Sequence, residues 1–123
     1  MTLRSAACSC GQLSLTADGE PVRVGVCHCL ACQRRTGSAF GYQAHFRSEQ
    51  VRVVGESTTY VRVAESGNHV TFHFCPVCGA IVHYRTNEHP ELIGVPVGAF
   101  ASPGFEFPMF SAWEEHMHPW LRS

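Results

Sequence analysis

The sequence has few charged residues and no long apolar segment, and both absences restrict the classes of protein it can belong to. Charged residues make up 15% of the 123 residues, and the formal net charge is -1 with histidine neutral. Without an excess of positive charge, we expect no basic surface for nucleic acid or anionic lipid. No run of about 18 apolar residues occurs, so we predict that no helix spans a membrane.

Signals for export and for several domains are also missing. The N-terminal residues Met1 to Arg4 lack the hydrophobic region of a secretory signal, so we expect a reducing, cytoplasmic location. There is no internal repeat, linker or low-complexity segment, and the length fits one domain. We therefore predict a single domain over residues 1–123.

Helical periodicity is scarce, because no helical pattern longer than about ten residues occurs. Short segments that alternate polar and apolar residues are common instead, and they predict strands. The predicted strands cover residues 12–17, 22–26, 38–46, 51–54, 58–63, 70–74, 80–84 and 92–97. One helical turn is predicted at residues 33–37, closed by Gly37. The pattern indicates a mainly β fold with little helix.

Glycine and proline predict how these strands are connected. Asp18-Gly19 predicts a hairpin-type turn between the first two strands. Pro96 predicts an edge position or a bulge, because proline cannot donate to a strand ladder. The last quarter of the chain is rich in proline and aromatic residues, so we predict an irregular segment that wraps the sheets and is anchored by its aromatic side chains.

Cysteine, in contrast, is abundant. The seven cysteines form an N-terminal pair, a triplet and a C-terminal pair, which are Cys8 and Cys10; Cys27, Cys29 and Cys32; and Cys75 and Cys78. An odd number of cysteines in a chain that we expect to be reduced argues against a disulfide framework. The C-x-C and C-x-x-C spacings are typical of thiolates that share a metal ion. The grouping therefore favours zinc over disulfides and over unrelated buried thiols.

The seven thiols divide most simply into four and three. The N-terminal and C-terminal pairs together would complete a closed Cys₄ site, which is typical of structural zinc and would staple distant strands together. The triplet would hold a second zinc ion with one position open, as in catalytic zinc sites. A ribbon-like alternative pairs Cys29 and Cys32 with the C-terminal pair, but it leaves the other three cysteines without a role.

Three motifs, taken in order, resemble the glutathione-dependent formaldehyde-activating enzyme family over nearly the whole chain. They are Cys8-Ser9-Cys10-Gly11, the triplet with the Gln33-Arg34-Arg35-Thr36-Gly37-Ser38 that follows it, and Phe74-Cys75-Pro76-Val77-Cys78-Gly79. The resemblance implies a β-tent of several small coiled antiparallel sheets stapled by zinc. It places the structural zinc on both pairs and the catalytic zinc on the triplet, so residues 1–123 would be one zinc-binding domain with two ions.

The activity that the resemblance implies is the reversible joining of a thiol and an aldehyde. Glutathione and formaldehyde would form S-hydroxymethylglutathione, formally a carbon–sulfur lyase reaction, or a close relative would use another small thiol. Ala101-Ser102 and Ser111 depart from the family pattern, which has an acidic pair and a histidine there. The alternatives are a glutathione carrier and a non-catalytic interaction module. A protein side chain as fourth ligand of the triplet site would indicate the module.

Several residues near the motifs have two interpretations each. Arg34 and Arg35 would either clamp the carboxylates of a peptide thiol or be surface charges near a helix end. His28 would act beside the open position, or it would point away from the flanking sulfurs if the loop is extended. His73 and His83 are expected to be structural or exposed to solvent.

Overall fold

The structure is a computed structural model that describes residues 2–122, and these residues are mainly β, as the sequence predicted. The strands are β1 (Leu3–Ala7), β2 (Ser14–Asp18), β3 (Arg23–Cys27), β4 (Gly41–Arg47), β5 (Val51–Val54), β6 (Thr58–Val63), β7 (His69–Phe74), β8 (Ile81–Thr86), β9 (Leu92–Pro96) and β10 (Phe110–Ala112). Helix α1 covers Leu30–Thr36, and short 3₁₀ turns cover Ser48–Gln50, Val97–Phe100, Glu114–His116 and Pro119–Leu121. Within the described residues, no helix has the length and apolarity needed to cross a membrane.

The strands form two sheets in this part of the chain. A small antiparallel sheet has the order β1-β2-β5. A larger sheet has the order β10-β3-β4-β9-β8-β7-β6, and it is antiparallel except where β10 runs parallel to β3. The expected set of small antiparallel sheets is thus two sheets, of which the larger is mixed.

Two of the predictions made from glycine and proline are wrong. Gly19 has φ +92, in the left-handed region that glycine tolerates, but the turn at Asp18-Gly19 does not close a hairpin. Strand β2 pairs with β1 and β5, whereas β3 belongs to the other sheet, so the chain changes sheets at this turn. Pro96 ends β9, which lies between β4 and β8 rather than at an edge, and its register with β4 contains no bulge. A proline is tolerated there because it is the last residue of the strand.

Two strands were missed in the sequence. β1 covers Leu3–Ala7, and its polar and apolar residues do not alternate clearly enough to predict a strand. β10 has three residues and lies in the segment predicted to be irregular. Its pairing with β3 places Ala112 beside Cys27, so this short strand brings the C-terminal segment to the triplet.

One core cluster joins the two sheets. Leu13 and Leu15 come from the small-sheet side, and Val24, Phe46 and Val95 come from the large sheet, all essentially without solvent exposure. Each apolar side chain of this size contributes about 1.5–3 kcal/mol when fully buried. The same cluster includes Cys8 and Cys75, so two of the predicted metal ligands are also core residues.

We expect Gly94→Ala to destabilise the protein by about 1–3 kcal/mol, because it overfills a packed sheet surface. An added Cβ would lie 2.2 Å from Cζ of Tyr84, a buried ring whose hydroxyl contacts Nε2 of His45 at 3.1 Å. Urea unfolding followed by circular dichroism measures the change. Gly98→Ala is the control, since its Cβ would meet nothing within 4 Å. Equal stability of the two variants would contradict the packing argument.

Candidate functional site

The two cysteine pairs come together at the ends of strands from different sheets. Cys8 follows β1, and Cys75 follows β7. The four sulfurs of Cys8, Cys10, Cys75 and Cys78 all lie within 4.8 Å of one another. Two of the separations are 3.7 Å, from Cys8 to Cys10, and 3.6 Å, from Cys10 to Cys75. This four-sulfur cluster therefore connects the small sheet to the large one.

Hydrogen-bond donors surround the buried sulfur of Cys75. The backbone N–H groups of Cys78 and Val77 donate to it at 3.5 and 3.3 Å, and the amide of Gln12 donates at 3.1 Å. Burial raises the pKa of this thiol, but these donors outweigh burial and lower the pKa to about 6. Gln12 also donates to the carbonyl of Glu56, so it connects this sulfur to the loop before β6. The sequence did not indicate Gln12 as part of this cluster, because an isolated glutamine belongs to no motif.

The triplet is assembled by the end of β3 and the start of α1. Cys27 is the last residue of β3, Cys29 is the N-cap of the helix, and Cys32 lies in its first turn. The backbone N–H of Cys32 donates to the sulfur of Cys29 at 3.2 Å, which satisfies one of the free donors at the helix start. The helix begins at Leu30, before the predicted turn, and Gly37 closes it with φ +67, as predicted.

The sulfurs of this three-sulfur cluster have unequal proton affinities. Hydrogen bonding from Cys27 is the main cause that lowers the pKa of Cys32 to about 5, with help from the guanidinium of Arg35. The same contact with Cys32, together with burial, raises the pKa of Cys27 far above its usual range. Close, partly buried thiols cannot all ionise unless a cation compensates their charge. A soft divalent cation fits this donor set.

The cysteines are divided as four and three. The three sulfurs lie within 4.8 Å of one another, and no fourth Cys, His, Asp or Glu of residues 2–122 joins them. The ribbon-like pairing of the triplet with Cys75 and Cys78 is not what the structure shows, because those two cysteines belong to the other cluster. Both clusters could hold a metal ion, and the smaller one offers three sulfur ligands from the described residues.

His28 points to β10 rather than joining the sulfurs on either side of it. The residue is 3% exposed, and its Nε2 lies 3.1 Å from the hydroxyl of Ser111. Its backbone N–H donates to the carbonyl of Ala112 at 2.9 Å. These contacts fasten the triplet loop to β10. Ser111 thus contacts the loop at a position where the family resemblance implied a histidine.

The histidines of β7 and β8 form a stacked pair, and His73 precedes Cys75 by two residues. The rings of His73 and His83 are 4.3 Å apart, and Ser57 lies 3.0 Å from Nδ1 of His73. Burial is the main cause that lowers the pKa of His83 to about 4. His83 is therefore neutral at physiological pH and packs as part of the structure, as expected.

Arg34 and Arg35 have different environments. Arg35 is half-buried, and its guanidinium lies 5.3 Å from the ring centre of Phe72, a cation–π contact, and close enough to Cys32 to lower its pKa. Arg34 is exposed and lines an open cavity of about 570 Å³ together with Tyr60 and Arg62. The sequence did not indicate Tyr60, Arg62 or Phe72, because only the β6–β7 pairing places that sheet surface beside α1.

Comparisons with known proteins agree with this architecture. A search of the curated proteins found no significant match. A crystal structure of a Rhodobacter sphaeroides protein, a Northeast Structural Genomics target, is similar with a TM-score of 0.62 and 23% identity, over 88% of this chain and 98% of that one. At this identity the likeness shows the fold alone. The sequence model of the family described as glutathione-dependent formaldehyde-activating enzyme matches residues 3–123. The chain therefore belongs to the glutathione-dependent formaldehyde-activating enzyme family.

Proposed function

We propose that this chain is a zinc enzyme of the carbon–sulfur lyase type that reversibly joins a small thiol such as glutathione to formaldehyde. The observation that carries the proposal is the three-sulfur cluster, to which the described residues add no fourth ligand. Membership of the family supports the choice of thiol and aldehyde. The proposal treats residues 1–123 as one zinc-binding domain that acts in the reducing cytoplasm.

The two clusters would have different roles. The four-sulfur cluster would hold a structural zinc ion, since four protein thiolates close the coordination shell. Cys27, Cys29 and Cys32 would hold the catalytic ion and are the proposed catalytic residues. When bound there, zinc supplies a soft position that binds a thiol as its thiolate at neutral pH. Helix α1 fixes two of the three sulfurs relative to each other through the N-cap contact of Cys29.

The cavity beside α1 suits the anionic part of a peptide thiol. Arg34, Arg35 and Arg62 contribute three positive charges. Tyr60, Phe72 and Phe74 contribute aromatic surface. Guanidinium groups bind carboxylates through two parallel hydrogen bonds, which favours carboxylate-bearing thiols over neutral ones. Arg35 links the cavity to the three-sulfur cluster, because it lines the cavity and its guanidinium also lies close enough to Cys32 to lower the pKa of that thiol. We therefore expect a thiol held by its sulfur to extend its carboxylates towards this cavity.

The proposed reaction needs no oxidant or reductant. In the forward direction the thiolate sulfur forms a bond to the carbonyl carbon, and the π electron pair moves to the carbonyl oxygen. The proton lost by the thiol is returned through solvent to that oxygen, giving a hydroxymethyl thioether. The reverse elimination retraces these steps.

A carrier that binds glutathione without accelerating exchange uses the same cluster and cavity. An interaction module, in contrast, needs a fourth ligand from a histidine of this chain or from a neighbouring chain, and no histidine among residues 2–122 joins the three sulfurs. The cluster geometry therefore favours thiol chemistry over a module closed by a histidine of the described residues. Exchange spectroscopy by NMR, with glutathione and formaldehyde at equilibrium, distinguishes an enzyme from a carrier.

We expect two zinc ions per chain, held with different strength. Mild chelator should remove one equivalent and leave the fold intact, because a three-thiolate site exchanges its metal more readily than a closed one.

Cys78→Ser should unfold or aggregate the protein, since structural zinc can contribute about 10 kcal/mol or more to folding. Cys29→Ser should stay folded and lose thiol binding. Metal analysis and circular dichroism test both variants, and a stable Cys78→Ser protein would count against the structural role.

Thiol binding should strengthen with increasing pH. The deprotonated thiol is the form that binds, so affinity should rise about tenfold per pH unit below the thiol's own pKa and level off above it. Isothermal titration of glutathione into zinc-loaded protein between pH 6 and 9.5, a range chosen to bracket an ordinary thiol pKa of about 8.5, measures this slope. A flat profile would show that the sulfur is not bound as a thiolate.

We expect Arg34→Gln to weaken glutathione binding about fivefold and to leave the binding of 2-mercaptoethanol unchanged. An exposed ion pair is worth up to about 1 kcal/mol, which corresponds to this factor. Arg52→Gln is the matched control, because Arg52 is exposed on β5 in the small sheet, outside this cavity. Equal losses for both thiols would show that Arg34 does not recognise carboxylates.

A further inference from the structure

Strand β4 places a buried glutamine on the sheet surface that carries the triplet. Cys27 of β3 pairs with Gly41, and Gln43 follows two residues later on the same face of the strand. Gln43 is only 8% exposed, and its Oε1 has no hydrogen-bond partner in the described structure. A buried acceptor without a donor is costly, so a ligand that brought a donor to this oxygen would remove that cost.

A donor from α1 approaches the same place as this acceptor. A Cβ added at Gly41 would lie 2.8 Å from Nη2 of Arg35, 3.0 Å from Oε1 of Gln43 and 3.3 Å from Cβ of Cys32. Only glycine leaves this space to the two polar groups beside the cysteine. Oε1 of Gln43 accepts no hydrogen bond from Arg35, so the two groups do not satisfy each other.

Arg35 is held in this position by its neighbours. Its guanidinium lies over the rings of Phe72 and Tyr84, at 5.3 and 6.0 Å from their centres. Tyr84 is in turn held by the contact of its hydroxyl with Nε2 of His45 at 3.1 Å. The guanidinium of Arg35 is therefore a pre-positioned donor beside the three-sulfur cluster, whereas Arg34 is exposed.

We propose that Arg35 and Gln43 form an oxygen-binding subsite for the aldehyde-derived oxygen of the thiol adduct. A hydroxyl is the group that accepts from a guanidinium and donates to an amide oxygen at the same time. As the carbon–sulfur bond forms, the carbonyl oxygen gains an electron pair and accepts a hydrogen bond from Arg35. After that oxygen has taken up the thiol's proton, the hydroxymethyl group donates to Oε1 of Gln43. This inference rests on the proposed function and assigns two further substrate-contacting residues to it.

The subsite separates recognition of the oxygen from recognition of the thiol. Cys27, Cys29 and Cys32 would act on the sulfur, and Arg34 and Arg62 on the carboxylates, whereas Gln43 would contact only the group derived from the aldehyde. Loss of Gln43 should therefore weaken adduct binding and exchange without changing the affinity for glutathione alone.

The test compares Gln43→Met with Gln50→Met, a matched control in a 3₁₀ turn outside the cavity that Arg34 and Arg35 line. Isothermal titration on zinc-loaded protein measures glutathione alone and glutathione with excess formaldehyde, and NMR exchange measures the rate. We expect Gln43→Met to bind glutathione within twofold of wild type, to bind the adduct at least tenfold more weakly and to exchange at least tenfold more slowly. Gln50→Met should match wild type in all three measurements.

A second measurement needs only the wild-type protein, in case Gln43→Met does not fold. The hydroxymethyl adduct should compete with glutathione about tenfold better than S-methylglutathione, which has the same sulfur substitution but no hydroxyl. Equal competition by the two would overturn the subsite. The subsite would also be overturned if Gln43→Met matched wild type in adduct binding and in exchange rate. That result would indicate that only an ordered water lies between Arg35 and Gln43.

The remaining outcomes separate this inference from the proposed function. Equal losses of glutathione and adduct binding in Gln43→Met would show a structural role for Gln43 and overturn the subsite alone. Failure of the fully zinc-loaded wild-type protein to bind glutathione would overturn the proposed function and the subsite with it.

Discussion

The structure depends on one electrostatic constraint, which is that closely packed, buried sulfurs need a positive charge to compensate their ionisation. Cys75 and Cys8 belong to the core between the two sheets, and Cys32 is nearly as buried. Thiols packed this closely bind protons unevenly, as the opposite pKa shifts of Cys27 and Cys32 show. A divalent cation in each cluster would remove this conflict, because it would compensate several thiolates at once. The proposed zinc ions would therefore complete the packing of the fold as well as supply chemistry.

Backbone donors and short connections hold the sulfurs in place before any ligand arrives. Cys29 caps α1, and the N–H groups around Cys75 point at its sulfur. His28 and β10 fasten the triplet loop from the other side, through Ser111 and the carbonyl of Ala112. This arrangement keeps three sulfurs fixed while leaving one side of their cluster without a protein ligand in the described residues.

Helix α1 connects the parts of the proposed site. It is only seven residues long, yet it carries a cysteine in its first turn and two arginines in its last. Both arginines line the open cavity, but Arg35 lies over the rings of Phe72 and Tyr84, whereas Arg34 is exposed. In the proposed site, one short helix would thus present the sulfur position, the donor proposed to bind the oxygen and the charge proposed to bind a carboxylate.

The sequence by itself determined the features that depend on local spacing. Alternation of polar and apolar residues predicted most of the strands, Gly37 predicted the end of the helix, and the spacing of the cysteines predicted their division into four and three. These features depend on neighbours in the chain, so the residue order contains them.

Tertiary structure alone decided what depends on residues distant in sequence. The chain changes sheets at Gly19 because β2 finds its partners in β1 and β5. The contact of His28 with Ser111 exists because β10 pairs with β3. The approach of Arg35 to Gln43 over Gly41 requires α1 to pack on β4. No local pattern encodes such contacts, because their energy comes from surfaces that meet only when both sheets have formed.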